Sequence, residues 1–151
     1  MLLIDDDEWI RDSLSLFFED EGCHLEAVEA AEEGLEELKR QDYDIIIVDY
    51  QLPGMDGLEF LERTKDSRPE ALTILVTAYG SKDVVLKARK IGVQGFIDKP
   101  FTLKVIKDTL SDLLKKRDDY RNSTLETGPD SLLRRGSDKM WDGEFKDRSS
   151  L

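Results

Sequence analysis

The stretch "IIIVD" at residues 45–49 constrains the fold more than any other part of the chain: four consecutive β-branched residues without polar alternation, closed by a carboxylate. A strand with one face in water alternates apolar and polar residues, so an unbroken run reads as a strand covered on both faces. Such coverage belongs to parallel sheets, whose crossover helices pack above and below. Further short apolar runs stand at "LLI" (2–4), "HLEAV" (24–28), "LTILV" (72–76) and "GFI" (95–97). Between them apolar residues recur at helical spacing: Ile10, Leu14 and Phe17; Leu35 and Leu38; Leu58 and Leu61; Val84 or Val85, Ala88 and Ile91; Leu103, Ile106, Leu110 and Leu113. Gly22 and Gly92 stand where helices end, Ser81 and Thr102 where N-caps are expected. The alternation predicts an α/β fold, a doubly wound five-stranded parallel sheet with five helices.

With 151 residues the chain suits one domain and an appendage. The domain is expected over 1–117. From Asp118 onward the pattern decays into a Ser-, Asp-, Gly- and Arg-rich segment whose only large apolar residues after Pro129 are Leu132, Leu133, Met140, Trp141, Phe145 and the terminal Leu151. Residues 118–151 are therefore expected to be a disordered tail or a truncated linker to an effector domain. Net charge is −12, which argues against direct DNA binding and against attraction to an anionic membrane. Its distribution is uneven: residues 1–77 carry 6 Lys/Arg against 22 Asp/Glu, and residues 78–117 carry 10 against 4. Cys23 is the single cysteine, so no disulfide framework exists within the chain, and no apolar run is long enough to span a bilayer. A cytoplasmic location is expected.

In a doubly wound sheet ligands bind beyond the carboxyl ends of the strands. The residues there are Asp5, Asp6 and Asp7 after the first strand, Asp49 after the third, Thr77 after the fourth and Asp98-Lys99-Pro100 after the fifth. Taken singly, each has a plain structural use: an acid of "DDDE" caps a helix, Asp49 serves the turn at "LPGMDG", Thr77 ends a strand, and Lys99 is solvated. Gathered at one crevice, Asp5, Asp6 and Asp49 would repel one another unless a hard divalent cation neutralised them, and oxygen-only ligands select Mg²⁺. A lysine and a hydroxyl beside that ion would meet the equatorial oxygens of a phosphoryl group.

"LLIDDDEWIRDSL", "IIIVDYQLPGMDGLEFL", "ILVTAYG" and "GFIDKPF" together resemble the receiver domain of two-component response regulators, in order and spacing, over residues 1 to about 117. The resemblance implies a flavodoxin-like, CheY-like fold with strand order 2-1-3-4-5. It implies Asp49 as the phosphoacceptor, served by a histidine kinase or phosphotransfer protein. Mg²⁺ would be held by Asp5, Asp6, Asp49 and the backbone carbonyl of Gln51. Lys99 would pair with Asp49 and then with the phosphoryl group, and Thr77 would bond that group. Thr77 and Phe96 would be the switch residues, and Ala78 and Tyr79 would govern access to the phosphoryl group. A cis peptide is expected at Lys99-Pro100. The kinase would dock around Ile10, Ser13 and Leu14, and an output partner would read the fourth helix, fifth strand and fifth helix. Such a protein catalyses its own phosphorylation and slow dephosphorylation without an external turnover substrate. Two alternatives remain: a haloacid-dehalogenase-like phosphohydrolase with Asp5 as nucleophile, and a pseudo-receiver binding module that works without phosphorylation.

Overall fold

The computed structural model describes residues 1–68, 70–78 and 82–125. Five strands alternate with five helices: β1 (Leu2–Ile4), α1 (Glu8–Asp20), β2 (Glu26–Val28), α2 (Ala31–Arg40), β3 (Ile45–Asp49), α3 (Gly57–Thr64), β4 (Leu72–Thr77), α4 (Lys82–Lys90), β5 (Gly95–Asp98) and α5 (Leu103–Leu125). All pairings are parallel, in the order β2-β1-β3-β4-β5. Two compact units divide the chain, Met1–Leu103 with the whole sheet and Lys104–Leu151, whose described part is α5.

Strand order and handedness fix the layers. The β1-to-β2 connection steps toward one edge and every later crossover steps the other way, so right-handed crossovers put α1 on one face and α2, α3 and α4 on the other. The core agrees: Leu2, Ile4, Ile46, Val48 and Leu75 cluster with Ala31 and Leu38 of α2, Phe60 and Leu61 of α3 and Ala88 of α4. The alternate strand residues Leu3, Ile45, Ile47, Ile74 and Val76 are buried on the opposite face. The sheet is covered on both faces at β3, as the run at 45–48 requires.

Helix faces depart from the sequence expectation by a residue in several places. On α1 the buried aromatic is Phe18, four residues after Leu14, with half-buried Phe17 meeting it edge-on at 5.0 Å. On α3 the buried set is Gly57, Phe60, Leu61 and Thr64, and Leu58 is half-buried. On α5 it is Leu114 rather than Leu113 that follows Ile106 and Leu110 inward. In each case adjacent apolar residues fit one stripe at either i+3 or i+4, and the sequence cannot choose between them. α5 also runs on to Leu125, past the boundary expected at Arg117. "DDYRNSTL" is polar but holds no Gly or Pro to stop a helix. The expected tail beyond it, residues 126–151, lies outside the described residues, as does the expected N-cap Ser81.

Candidate functional site

Register brings the acids together. β1 pairs with β3 through Ile4 and Val48, so Asp5 and Asp49, one residue on, emerge side by side at the carboxyl edge. Both are buried, at 2% and 4% exposure, while the next residue, Asp6, is exposed. Ligand oxygens of Asp5, Asp6 and Asp49 all lie within 4.8 Å of one another. The "DDDE" run thus divides its labour. Asp7, not Asp5 or Asp6, is the N-cap of α1, accepting from the Trp9 N–H at 2.9 Å, and its own N–H donates to Asp5 Oδ1 at 2.9 Å.

Lys99 stands one residue beyond β5, and its N–H donates to the Thr77 carbonyl at 2.9 Å, which ties the ends of β4 and β5. Its side chain reaches back past β4, placing Nζ 3.0 Å from Asp5 Oδ2 and 2.7 Å from Asp49 Oδ2. The peptide bond to Pro100 is cis. Burial of Lys99 disfavours its charge, but hydrogen bonds and attraction from Asp49 and Asp5 outweigh that, and its pKa is raised. At Asp5, by contrast, burial dominates and raises its pKa, against the Asp7 N–H and Lys99, which favour the charged form. One ammonium against three carboxylates leaves an excess of two negative charges. An all-oxygen set with that excess fits a small divalent cation.

The remaining expected residues fall as follows. Thr77 ends β4 and is buried, opposite Asp98. The Gln51 N–H donates to Asp49 Oδ1 at 3.2 Å, which holds its peptide beside that carboxylate, while its side chain is exposed. Ala78 is exposed and lines, with Lys99, a cavity of about 670 Å³ walled by α1 residues Trp9, Ile10, Ser13 and Leu14. Phe96 lies away from the acids on β5, half-buried, with the Arg89 guanidinium carbon 5.8 Å from its ring centre. Tyr79 lies outside the described residues.

Three contributors escape sequence reasoning. A Cβ on Gly57 would stand 2.2 Å from the Asp49 carbonyl oxygen, so α3 starts hard against the end of β3 only because that residue is glycine. Arg11 donates to the Asp5 carbonyl at 2.8 Å and holds the first loop from behind. Trp9 is 79% exposed at the cavity wall. "LPGMDG" announces a loop but not which backbone the second glycine will touch, and neither Arg11 nor Trp9 belongs to the buried stripe that periodicity detects.

A flavodoxin-like sheet carrying three acids and a lysine at its carboxyl edge defines an α/β protein with an acidic, cation-compatible site at that edge. The chain belongs to the response regulator receiver domain family, which matches residues 1–111. It is similar to the chemotaxis protein CheY of Halobacterium salinarum, 33% identical over 114 residues that cover 76% of this chain and 95% of that one. Among solved structures it resembles a CheY-like receiver domain protein of Methanospirillum hungatei, with a TM-score of 0.74 and 29% identity, covering 79% of this chain and 95% of the other. It also resembles the response regulator TrrA of Thermotoga maritima in complex with Mg²⁺-BeF, with a TM-score of 0.66 and 28% identity, covering 74% and 96%. The span of the curated relatives is uneven: the chain covers 34% of one, 24% of another and 57% of a third. Membership in this family displaces the haloacid-dehalogenase alternative. Among the described residues no helix is long and apolar enough to cross a membrane.

Proposed function

We propose that this chain is a phosphorylation-activated receiver in which Asp49 takes a phosphoryl group from the phosphohistidine of a histidine kinase or phosphotransfer protein. The observation that carries this reading is the Lys99 ammonium bridging Asp5 and Asp49 at 3.0 and 2.7 Å, inside a cluster of three carboxylates. Asp5, Asp6 and Asp49 would hold Mg²⁺, with the Gln51 carbonyl, and the ion would supply charge to the transferring oxygens. An Asp49 carboxylate oxygen forms the new O–P bond as the P–N bond breaks, and the imidazole nitrogen keeps that electron pair. Lys99 pairs with the Asp49 carboxylate before transfer and with a phosphoryl oxygen after it. The Thr77 hydroxyl donates to another phosphoryl oxygen. Ala78 leaves the incoming imidazole an approach, and the cavity beside it, with Ile10, Ser13 and Leu14, receives the donor protein. Phe96 and Thr77 convey the change to an output partner that reads α4 and β5. The chain catalyses its own phosphorylation and slow dephosphorylation and resides in the cytoplasm.

The presence of all three acids with Lys99 favours this reading over a pseudo-receiver. Exposure to acetyl phosphate with Mg²⁺, followed by mass-spectrometric mapping of the modified aspartate, tests it. The label is expected on Asp49 and absent from Asp49→Asn, whose near-isosteric amide keeps the fold but cannot form an acyl phosphate. A label on Asp5, or labelling of Asp49→Asn at the wild-type level, overturns the assignment.

A further inference from the structure

The three carboxylates at the carboxyl edge are not held alike. Asp5 takes the Asp7 N–H and the Lys99 ammonium, and Asp49 takes Lys99 and the Gln51 N–H. Asp6 is exposed, and among the described residues no donor holds its carboxylate. Its placement therefore depends on its backbone. The peptide that joins Asp5 to Asp6 carries the Asp5 carbonyl and the Asp6 N–H in one plane, so a turn of that plane swings the Asp6 carboxylate. The groups on either side are fixed: the Asp5 N–H donates to the Val28 carbonyl at 3.1 Å, and the Asp7 carbonyl accepts the Arg11 N–H at 3.1 Å. The plane itself is held by the Arg11 side chain, whose Nη1 donates to the Asp5 carbonyl at 2.8 Å. That side chain is 18% exposed, whereas Glu29, 3.9 Å from the other terminal nitrogen, is 66% exposed. Water screens so open an ion pair, and the carbonyl is the main partner of the guanidinium.

We infer that Arg11 is a positioning residue that raises the selectivity of the acidic edge for Mg²⁺ over Ca²⁺, by fixing the Asp5–Asp6 peptide and with it the Asp6 carboxylate. The inference rests on the Mg²⁺ site of the reading above. Mg²⁺ demands near-octahedral oxygens at about 2.0–2.1 Å, whereas Ca²⁺ accepts about six to eight ligands at about 2.3–2.6 Å in flexible geometry. A loosened Asp6 still serves Ca²⁺ but no longer meets Mg²⁺ at the required place. The charge of Arg11 works in the opposite direction. A guanidinium near three carboxylates repels an incoming cation, so its removal by itself would tighten the binding of both ions alike. Position and charge thus predict opposite signs for the loss of Arg11.

The test titrates Mg²⁺, and separately Ca²⁺, into the metal-free full chain by calorimetry. In Arg11→Met, which keeps the apolar stem and loses the donor, the Mg²⁺ dissociation constant is expected to rise about tenfold and the Ca²⁺ constant to stay within about twofold. Glu29→Gln should leave both constants at their wild-type values. Thermal melts in EDTA check the fold. Arg11→Gln, whose shorter side chain also gives up the guanidinium, replaces Arg11→Met if the latter melts below the titration temperature. Mg²⁺ affinity in the variant equal to or tighter than that of wild type overturns the inference. So does an equal loss for both ions, which marks a role in stability alone, or a loss in Glu29→Gln as large as that in Arg11→Met, which assigns the effect to the ion pair. A wild type that binds neither ion overturns the Mg²⁺ site and the inference with it, whereas a wild type that binds Mg²⁺ no better than Arg11→Met counts against Arg11 alone.

Discussion

Asp5 shows what the site demands of one residue. Its carboxylate is buried, and the loss of solvent outweighs the help of Lys99 and the Asp7 N–H, so its pKa is raised. An acid whose folded pKa lies above its unfolded one costs stability as pH rises through the interval between them, and the whole cost is present above the folded value. Asp5→Asn is therefore expected to raise the Tm of the metal-free protein at neutral pH by about 3–5 °C. The advantage should shrink as pH falls through the folded pKa. Added Mg²⁺ should stabilise wild type more than the variant, because ligand binding favours the state that holds it. Melts in EDTA and in Mg²⁺ at several pH values check both; a variant less stable than wild type at neutral pH in EDTA refutes the argument. By the receiver resemblance Tyr79 is expected to slow hydrolysis of the acyl phosphate proposed at Asp49, since in-line attack needs room for a water that a bulky side chain can exclude. Decay of the phosphorylated protein should be faster in Tyr79→Ala, and unchanged decay removes Tyr79 from the mechanism.

Among the elements, the connection from β3 to α3 places the most chemistry in the fewest residues. Gly54 takes a positive φ of 78°, which permits the turn, and Glu32 of α2 accepts the Met55 N–H at 3.2 Å, which steadies it. Asp56 then caps α3 through the Glu59 N–H at 2.8 Å, and the Gly57 N–H returns to the Tyr50 carbonyl at 2.9 Å. The helix start is thus pressed against the strand end that carries Asp49. Gly57→Ala forces that backbone apart and is expected to cost about 1–3 kcal/mol and to weaken Mg²⁺ binding together. Chemical denaturation and metal titration measure the two effects. A variant of wild-type stability and affinity would show that the close approach is dispensable.

For the whole molecule the predicted division at Arg117 does not coincide with an element boundary, since α5 continues to Leu125. A cut after Leu125 removes a segment with few large apolar residues and should leave the melting temperature, Mg²⁺ binding and labelling of Asp49 as they are in the full chain. Unfolding or loss of labelling after that cut would show that residues 126–151 support the domain. The charge asymmetry of the sequence persists in three dimensions. Acids dominate α1 and α2, and exposed bases cover α4.

By itself the sequence determined the alternation of elements, the central position of β3 and the identity of the acids and lysine at strand ends. Each of these follows from local pattern: period two, period three to four, and the residue just past an apolar run. Only the tertiary structure decided which neighbour of a pair faces inward, as with Phe18 over Phe17 and Leu114 over Leu113, because two adjacent apolar residues fit a helical stripe equally well until a surface exists to cover one of them. It also decided that Asp7 caps α1 while Asp5 and Asp6 join Asp49, a division that depends on the β1–β3 register and not on the order of three identical residues. The backbone contact at Gly57 and the reach of Arg11 to Asp5 arise from distances between segments, and no composition or spacing along one chain encodes a distance.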